Sequence, residues 1–347
     1  MFFDPNDKSH PQFQEIKNKR IFLFDNVQEQ RLSLEEAVKT KTVANQALAY
    51  YLFLTQEFLV TAGINPKKFR FRKHGPDELA HYAQECWDAE LFSERFGWVE
   101  CVGIADRSAY DLRAHIDSSG TDMYALRKFE EPQSVKVKKI VPKMDVLGPR
   151  FKGDAGKIKA HLESMDVDEE CAGSLSITLD DTTFGIPQEC FDIVDTEEKR
   201  IGEKYVPQVI EPSFGIDRIL YLLLEHSYQE LKKNEEEYHM LKFQAAVAPI
   251  KVGVLPLVSD ERLEDVAQSI NRTLRNAGIE TYYDSGGTIG RRYARMDEVG
   301  TPFCVTIDHQ SLEDNTVTIR DRDTTDQERK NIDELAAYFQ HALTINL

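Results

Sequence analysis

The spacing of apolar residues predicts a long helix near the start of the chain. From Leu34 to about Ala62 these residues recur at helical spacing, with Ser33 placed to cap the helix and Gly63 placed to end it. We therefore expect one amphipathic helix packed on a sheet.

A change to period-2 alternation predicts strands after this helix. Residues 69–72 alternate phenylalanine with arginine, and residues 98–104 form a second apolar run that includes an acid. Residues 205–211 predict a further strand, which would turn through residues 212–215 into an apolar helix over residues 216–226. The intervening residues 129–204 show only short, mixed periodicities, and we interpret them as an irregular insertion.

Strands and helices alternate from about Pro249 onward. Residues 252–257 and 280–283 predict strands, and residues 261–276 predict a helix ended by Gly278. This alternation is typical of an α/β unit with parallel strands, so we expect a second domain to begin here.

Length and charge narrow the class of protein. A chain of 347 residues with 41% hydrophobic residues predicts two folded domains. The net charge of -17 would repel polyanions, so any nucleic acid would have to bind at local basic patches.

The cysteines predict neither a disulfide framework nor a structural zinc site. They are scattered without CxxC spacing, which favours a reducing compartment. The five are Cys86, Cys101, Cys171, Cys190 and Cys304.

The chain shows no targeting or membrane-spanning signal. Its first residues lack a basic region followed by an apolar run, and the most apolar stretch, residues 47–60, is too short and too polar to span a bilayer. We expect a cytoplasmic protein without a membrane partner, or a mitochondrial one if a targeting segment was lost.

Candidate chemistry concentrates in residues 209–218, which read VIEPSFGIDR. Here Arg218 falls in the first turn of the predicted helix, where a cation opposes the helix dipole at a cost of about 0.3–1 kcal/mol unless an anion is bound nearby. The alternative is a surface arginine paired with Glu211 or Asp217.

This decapeptide resembles motif 3 of class II aminoacyl-tRNA synthetases in the form found in glycyl-tRNA synthetases of the eukaryotic and archaeal type. The resemblance continues upstream through AHYA at residues 80–83, CWDAE at residues 86–90 and GWVECVGIADRSAYDL at residues 97–112. With the C-terminal region it covers nearly the whole chain.

The resemblance implies an α+β fold in two domains. Residues 1–240 would form an incomplete class II antiparallel-sheet catalytic core, interrupted by the insertion around residues 129–204. Residues 248–347 would form an α/β anticodon-binding domain.

Site residues follow from the same resemblance. Glu211 and Ser213 would hold the amino group of glycine, which suits a carboxylate, and Pro212 would shape the wall. Gly215 and Arg218 would contact ATP, with Arg218 as a catalytic cation.

Two residues of the predicted strand at residues 98–104 would lie beside the nucleotide. Glu100 is a catalytic candidate and a possible Mg²⁺ contact, since hard cations prefer oxygen ligands, and Cys101 would lie next to it. The alternatives are that Glu100 pairs with Arg107 or Arg113, and that Cys101 is a small core residue without a reactive thiolate.

Residues 282–303 resemble the anticodon-binding domain shared by the glycyl, histidyl, prolyl and threonyl enzymes. A compact cluster of basic and aromatic residues there suits unstacked anticodon bases and phosphates. It comprises Arg291, Arg292, Tyr293 and Arg295. The alternative is a solvated helix face paired internally with Asp297 and Glu298.

The implied activity is ATP-dependent activation of glycine and its transfer to tRNA-Gly, with ATP and Mg²⁺ as the substrate complex and no tightly bound cofactor. Catalysis would rest on positioning and charge stabilisation. The family is homodimeric, but its motifs 1 and 2 are not in this chain, so the resemblance implies an incomplete active site. A non-catalytic tRNA-binding paralogue or a synthetase-like accessory subunit is the alternative.

Overall fold

The computed structural model describes residues 1–165, 173–179, 182–233 and 236–343. Contacts divide the chain into two units, one built from Met1–His115 and Gln208–Leu347 and the other from Ile116–Pro207. Cys171 lies outside the described residues, and the other four cysteines are free thiols. Within the part of the chain that is described, no helix has the length and apolarity needed to cross a bilayer.

The first 119 residues contribute six strands and four helices. The strands are β1 (Phe2–Phe3), β2 (Arg20–Phe24), β3 (Glu29–Ser33), β4 (Phe69–Lys73), β5 (Glu85–Ser93) and β6 (Gly97–Asp106). The helices are α1 (Phe13–Ile16), α2 (Leu34–Lys39), α3 (Gln46–Ala62) and α4 (Tyr110–Ser119).

The single helix predicted from Leu34 to Ala62 is two helices, so that prediction was wrong. Ser33 does cap α2 in a capping box, and Gly63 does end α3 with a φ of 115°. Between them Lys41 adopts a φ of 57°, which no helix permits, and the Asn45 side chain accepts from the Leu48 N–H to start α3 anew. Local capping therefore outweighs the continuous apolar pattern.

The unit Ile116–Pro207 has its own hydrophobic core. Its strands are β7 (Ala125–Pro142), β8 (Leu175–Leu179), β9 (Thr182–Ile186) and β10 (Phe191–Tyr205). Its helices are α5 (Met144–Phe151) and α6 (Ala155–Ser164). Ile140, Ile158 and Phe191 are among the buried residues of the core.

Most of the described part of residues 129–204 is regular structure, contrary to our interpretation of an irregular insertion. β7 and β10 form a long antiparallel ribbon with a bulge at Gly202. A side chain at Gly202 would lie 2.5 Å from the Arg127 carbonyl oxygen, so the bulge requires glycine. Both faces of the ribbon are largely exposed, which removes the apolar alternation by which strands are recognised.

The first sheet is completed after residue 207 by β11 (Gln208–Phe214), which is followed by α7 (Ile216–Ser227) and the hairpin β12 (Tyr228–Lys233) and β13 (Glu236–Leu241). The seven strands lie in the order β1-β11-β6-β5-β4-β2-β3. All neighbours are antiparallel except β2 and β4.

β11 extends through Pro212 and Ser213, although these residues were predicted to form a turn. The Val209 N–H bonds to the Ser108 carbonyl, whereas the Ile210 N–H bonds to the Met1 carbonyl on the other side of the strand. By alternation the nitrogen of Pro212 points away from β6, where no ladder hydrogen bond is lost. Proline therefore does not end the strand.

The C-terminal part of the chain forms a second sheet with its own core. Its strands are β14 (Val252–Pro256), β15 (Thr281–Tyr283), β16 (Phe303–Ile307), β17 (Thr316–Asp321) and β18 (Gln327–Asn331). Its helices are α8 (Glu261–Asn276), α9 (Ile289–Glu298), α10 (Ser311–Asp314) and α11 (Leu335–Ala342). α8 has the predicted bounds, and β14 is parallel to β15 and β16 as expected, but β17 and β18 are antiparallel.

Two buried arginines tie this sheet to the segment that precedes it. Arg322, 4% exposed, donates to the carbonyl oxygens of Leu241, Phe243 and Gly300. Arg320 makes two hydrogen bonds to Asp297, at 2.8 and 2.9 Å, and the Tyr238 hydroxyl also donates to Asp297.

Replacing Arg320 with methionine should strongly destabilise the C-terminal sheet. The side chains of Arg320 and Asp297 are 7% and 1% exposed, so the substitution leaves a buried carboxylate without its cation, at a cost of about 3–5 kcal/mol. Hydrogen exchange of the β16 and β17 amides in denaturant would measure the loss. Arg329→Met, which breaks the more exposed pair with Asp308, should cost about 0–1 kcal/mol, and an equal cost for both variants would contradict the prediction.

Candidate functional site

One face of the first sheet is polar across four neighbouring strands. The register places Arg72 of β4 opposite Asp88 of β5, Asp88 opposite Gly103 of β6, and Gly103 opposite Ser213 of β11. Because side chains alternate along a strand, residues two positions away share this face. The next row therefore contains Cys86, Ala105 and Glu211.

The opposite face of the same strands is apolar. Phe71, Trp87, Ile104 and Ile210 are fully buried in the core. Pro212 pairs with Ile104 and so lies on this side of β11, away from Glu211 and Ser213. Because side chains alternate along β11, Pro212 does not line the same surface as Glu211 and Ser213. The prediction that Pro212 shapes the wall of the glycine site is therefore not met in this structure.

Glu211 is held by an arginine. Arg107 donates to Glu211 Oε2 at 2.6 Å through Nη1 and to Asp111 Oδ2 at 2.8 Å through Nε, and its guanidinium lies 4.0 Å from the centre of the Tyr82 ring. The hydrogen bond that Arg107 donates to Glu211 raises the pKa of Arg107, and the one that it donates to Asp111 adds to the effect. Sequence reasoning offered Arg107 as a partner for Glu100, which is not its partner in the structure.

Glu100 and Arg218 meet at the start of α7. Arg218 Nη1 donates to the Glu100 carbonyl oxygen at 2.8 Å and lies 3.7 Å from Glu100 Oε2. Both side chains are more than half exposed, so the ion pair is open to solvent. The structure thus gives Arg218 a different partner from the two considered, Glu211 and Asp217.

Gly215 joins α7 closely to β6. Its N–H donates to the Cys101 carbonyl at 2.8 Å, and a side chain at this position would lie only 3.2 Å from the same oxygen. No side chain caps α7, so its first N–H groups have no side-chain acceptor. A helix start of this kind, with Arg218 in its first turn, favours an anion.

Cys101 contributes its backbone rather than its thiol. The side chain is 2% exposed and belongs to the core, as the alternative interpretation held. Burial raises its pKa to about 11. The thiol is therefore protonated and inert near neutral pH.

Gly103 and Ala105 are the smallest residues of the polar face, and we call the space above them the hollow. A side chain at Gly103 would lie 3.8 Å from Glu100 Oε1 and 4.0 Å from Asp88 Oδ1, so two carboxylates border the space above this glycine. Ser213 lies opposite Gly103, and Glu211 lies opposite Ala105. A small cationic group suits this surface.

Arg72 is a polar-face residue that sequence reasoning did not single out. It donates to Asp88, Glu90 and Glu78 at 2.9, 3.1 and 2.8 Å. Burial opposes its charge, but the hydrogen bond with Glu78 and the charges of Asp88 and Glu90 outweigh burial and raise its pKa. The alternation of arginine with phenylalanine over residues 69–72 was the available signal, because a charged strand face must find partners.

The basic cluster predicted for α9 divides into three environments. Arg291 is exposed, whereas Arg292 is 1% exposed and donates to the carbonyl oxygens of Pro256 and Gly287. Arg295 pairs with Asp284 at 2.5 Å. The burial of Arg292 prevents contact with RNA in this conformation, which corrects its inclusion in the cluster.

Arg291 lines a cavity of about 460 Å³ between α9 and β13. Thr288, Tyr238, His239 and Glu298 also line it. The cluster's aromatic member, Tyr293, also lines this cavity. Its hydroxyl shares a hydrogen bond of 2.5 Å with Thr306, and its ring lies under the Arg320 guanidinium.

A family model and a solved structure resemble parts of this chain. The profile described as "Anticodon binding domain" matches residues 244–342. The chain is 12% identical to a prolyl-tRNA synthetase structure from Cryptosporidium parvum complexed with L-proline and AMP, at a TM-score of 0.42 over 90% of this chain and 46% of that one. The region from residue 244 to residue 342 is therefore similar to an anticodon-binding domain.

The curated relatives that this chain resembles are glycine–tRNA ligases. The chain is 46% identical to the glycine–tRNA ligase of Archaeoglobus fulgidus, over 99% of this chain and 60% of that one. It is 44% identical to that of Methanothrix thermoacetophila, over 96% of this chain and 59% of the relative. It is 46% identical to that of Thermococcus sibiricus, over 96% of this chain and 60% of the relative. It is homologous to the glycine–tRNA ligase family along almost its whole length, and it spans about three fifths of the length of these relatives.

Cys101 should resist alkylation at neutral pH. Its pKa of about 11, well above the value of about 8.5 for a free thiol, keeps it protonated until strongly alkaline pH, and its burial limits access. Iodoacetamide labelling of the native chain, mapped by peptide mass spectrometry, should leave Cys101 unmodified at pH 8 and label it fully in denaturant. Rapid native labelling at that pH would show that the thiol is ionised or accessible.

Proposed function

We propose that this chain carries the glycine-binding surface and part of the ATP-binding surface of a glycine–tRNA ligase, together with its anticodon-binding domain. The observation that supports this most directly is the polar sheet face, where Glu211 and Ser213 lie opposite Ala105 and Gly103. In this proposal residues 1–240 form the catalytic part and residues 248–347 the anticodon-binding domain.

The hollow above Gly103 suits an amino acid without a side chain. The carboxylate of Glu211 would bind the ammonium group, and the Ser213 hydroxyl would accept a second N–H. The carboxylates of Glu100 and Asp88 border the hollow and limit its size. Arg107 would orient Glu211 through the hydrogen bond between them.

The exposed pair of Arg218 and Glu100 supports the nucleotide part of the proposal. Arg218 would place a guanidinium against the phosphates of ATP at the start of α7, next to helix N–H groups without a side-chain cap. Glu100 offers an exposed carboxylate of the kind that Mg²⁺ prefers, so it fits the role of a contact to the ion of the ATP complex. Gly215 would allow close approach of the backbone, while Cys101 would contribute no side chain.

These residues would act by positioning and charge. In glycine activation the amino acid carboxylate attacks the α-phosphate, and the chain's own task would be to hold the ammonium at Glu211 and to neutralise phosphate charge at Arg218. No side-chain nucleophile is required. Transfer to tRNA-Gly, the cytoplasmic location and a homodimer belong to the same proposal.

Glu211→Gln should raise the KM for glycine with a smaller effect on that for ATP. Losing a charge-assisted hydrogen bond costs about 1.5–3 kcal/mol, which is about 10- to 150-fold in affinity. Glycine-dependent ATP–pyrophosphate exchange would measure this, both in the chain and in the longest form that its gene encodes. Glu203→Gln, an exposed acid of the β7–β10 ribbon that also pairs with an arginine, is the matched control.

Two results would contradict this assignment. Equal KM values for glycine in Glu211→Gln and in the control would remove Glu211 from the binding site. Binding of tRNA without any glycine-dependent exchange, in either form of the protein, would favour the non-catalytic tRNA-binding paralogue.

Arg291→Gln should weaken tRNA binding in a salt-dependent way, because Arg291 is the exposed arginine of the α9 cluster for which no ion pair is described. Loss of one phosphate contact should reduce the slope of log K against log salt by about 0.7–0.9. Filter binding at several salt concentrations would measure the slope. Arg262→Gln, an exposed arginine paired with Asp260 on α8, serves as the control, and an unchanged slope in Arg291→Gln would exclude the contact.

A further inference from the structure

Three side chains with nitrogen, sulfur and oxygen donors converge beside the hollow. His74 Nε2 lies 2.9 Å from both carboxylate oxygens of Asp88. The donor atoms of His74, Cys86 and Asp88 all lie within 4.8 Å of one another. No role in the proposed glycine chemistry accounts for His74 or Cys86.

The backbone holds the three residues in place. The His74 N–H donates to the Cys86 carbonyl at 3.0 Å, which puts these two residues opposite each other at the edge of β4 and β5. Asp88 follows Cys86 by two residues on β5 and therefore points to the same face. The cluster is thus set by the ladder of the sheet rather than by a loop.

The spacing of the donors matches a tetrahedral metal site. Ligand atoms at about 2.0–2.3 Å from Zn²⁺ in tetrahedral geometry are about 3.3–3.8 Å apart. This range lies between two observed values. The His74 and Asp88 donor atoms are 2.9 Å apart, and no two donor atoms of the three residues are more than 4.8 Å apart.

Arg72 supplies the outer support that metal ligands usually have. Its Nη2 donates to Asp88 Oδ2 at 2.9 Å, which fixes the carboxylate and leaves Oδ1 for an ion. Asp88 is 2% exposed, so its orientation is set before any ion binds. One thiolate and one carboxylate would neutralise a divalent ion, with a neutral imidazole as the third ligand.

We propose that His74, Cys86 and Asp88 bind one divalent transition metal ion of the Zn²⁺ class, with the fourth coordination position open. The site borders the hollow, because Asp88 Oδ1 lies 4.0 Å from the point where a side chain of Gly103 would begin. Three protein ligands with one free position are typical of a reactive site rather than a closed structural one. This inference does not depend on the proposed function.

Titration of the chelator-treated chain with Co²⁺ tests the proposal directly. We expect a sulfur-to-cobalt charge-transfer band and the intense ligand-field bands of a four-coordinate ion, saturating at a single ion per chain and reversed by Zn²⁺. Cys86→Ser should abolish the charge-transfer band. Arg72→Lys should weaken binding by about 10- to 100-fold, the usual effect of losing an outer partner.

Two controls separate this site from adventitious binding. Cys190→Ser removes a buried thiol from the other unit and should leave the titration unchanged. His74→Gln keeps the Cys86 thiol and should weaken Co²⁺ binding at least about 10-fold, so it provides the test if circular dichroism shows that Cys86→Ser does not fold. Absence of the charge-transfer band in the unmodified chain, its persistence in folded Cys86→Ser, or unchanged affinity in His74→Gln would overturn the proposal.

Discussion

The antiparallel register between β6 and β11 is the constraint on which the candidate site depends. It places Glu211 opposite Ala105 and Ser213 opposite Gly103 on one face, and it buries Ile210 on the other. A slip by one residue would reverse every side chain of the strand and put a carboxylate into the core. The bond from the Gly215 N–H to the Cys101 carbonyl holds the register at the end next to α7.

Charge compensation decides which groups on this face are structural and which can meet a ligand. Arg72 donates to three carboxylates, so its charge is largely neutralised within the protein. Glu211 and Arg218 each have one partner and remain about half exposed. Exposed pairs of this kind contribute little to stability and can be rearranged at small cost. Glu211 and Arg218, which we propose to contact the substrates, are therefore the residues with the fewest ion-pair partners on this face.

Sequence patterns predicted elements where local and tertiary preferences agree. The bounds of α8 and the Ser33 and Gly63 caps were predicted, because an apolar stripe and terminal residues indicate the same structure. Arg292 was misjudged because arginine in a polar string predicts exposure, whereas two backbone carbonyls draw it into the interior. The pairing of Glu211 with Arg107 joins residues 104 positions apart, a distance over which periodicity carries no information.

The clamp formed by Arg322 has a mechanical consequence. The Arg322 guanidinium donates to the carbonyl oxygens of Leu241, Phe243 and Gly300. It therefore links the segment between the two sheets to a turn of the C-terminal sheet. A planar group with fixed N–H directions resists rotation of its acceptors. We therefore expect the backbone around Leu241 and Phe243 to be stiff, so that a displacement of the C-terminal sheet would also move the end of β13.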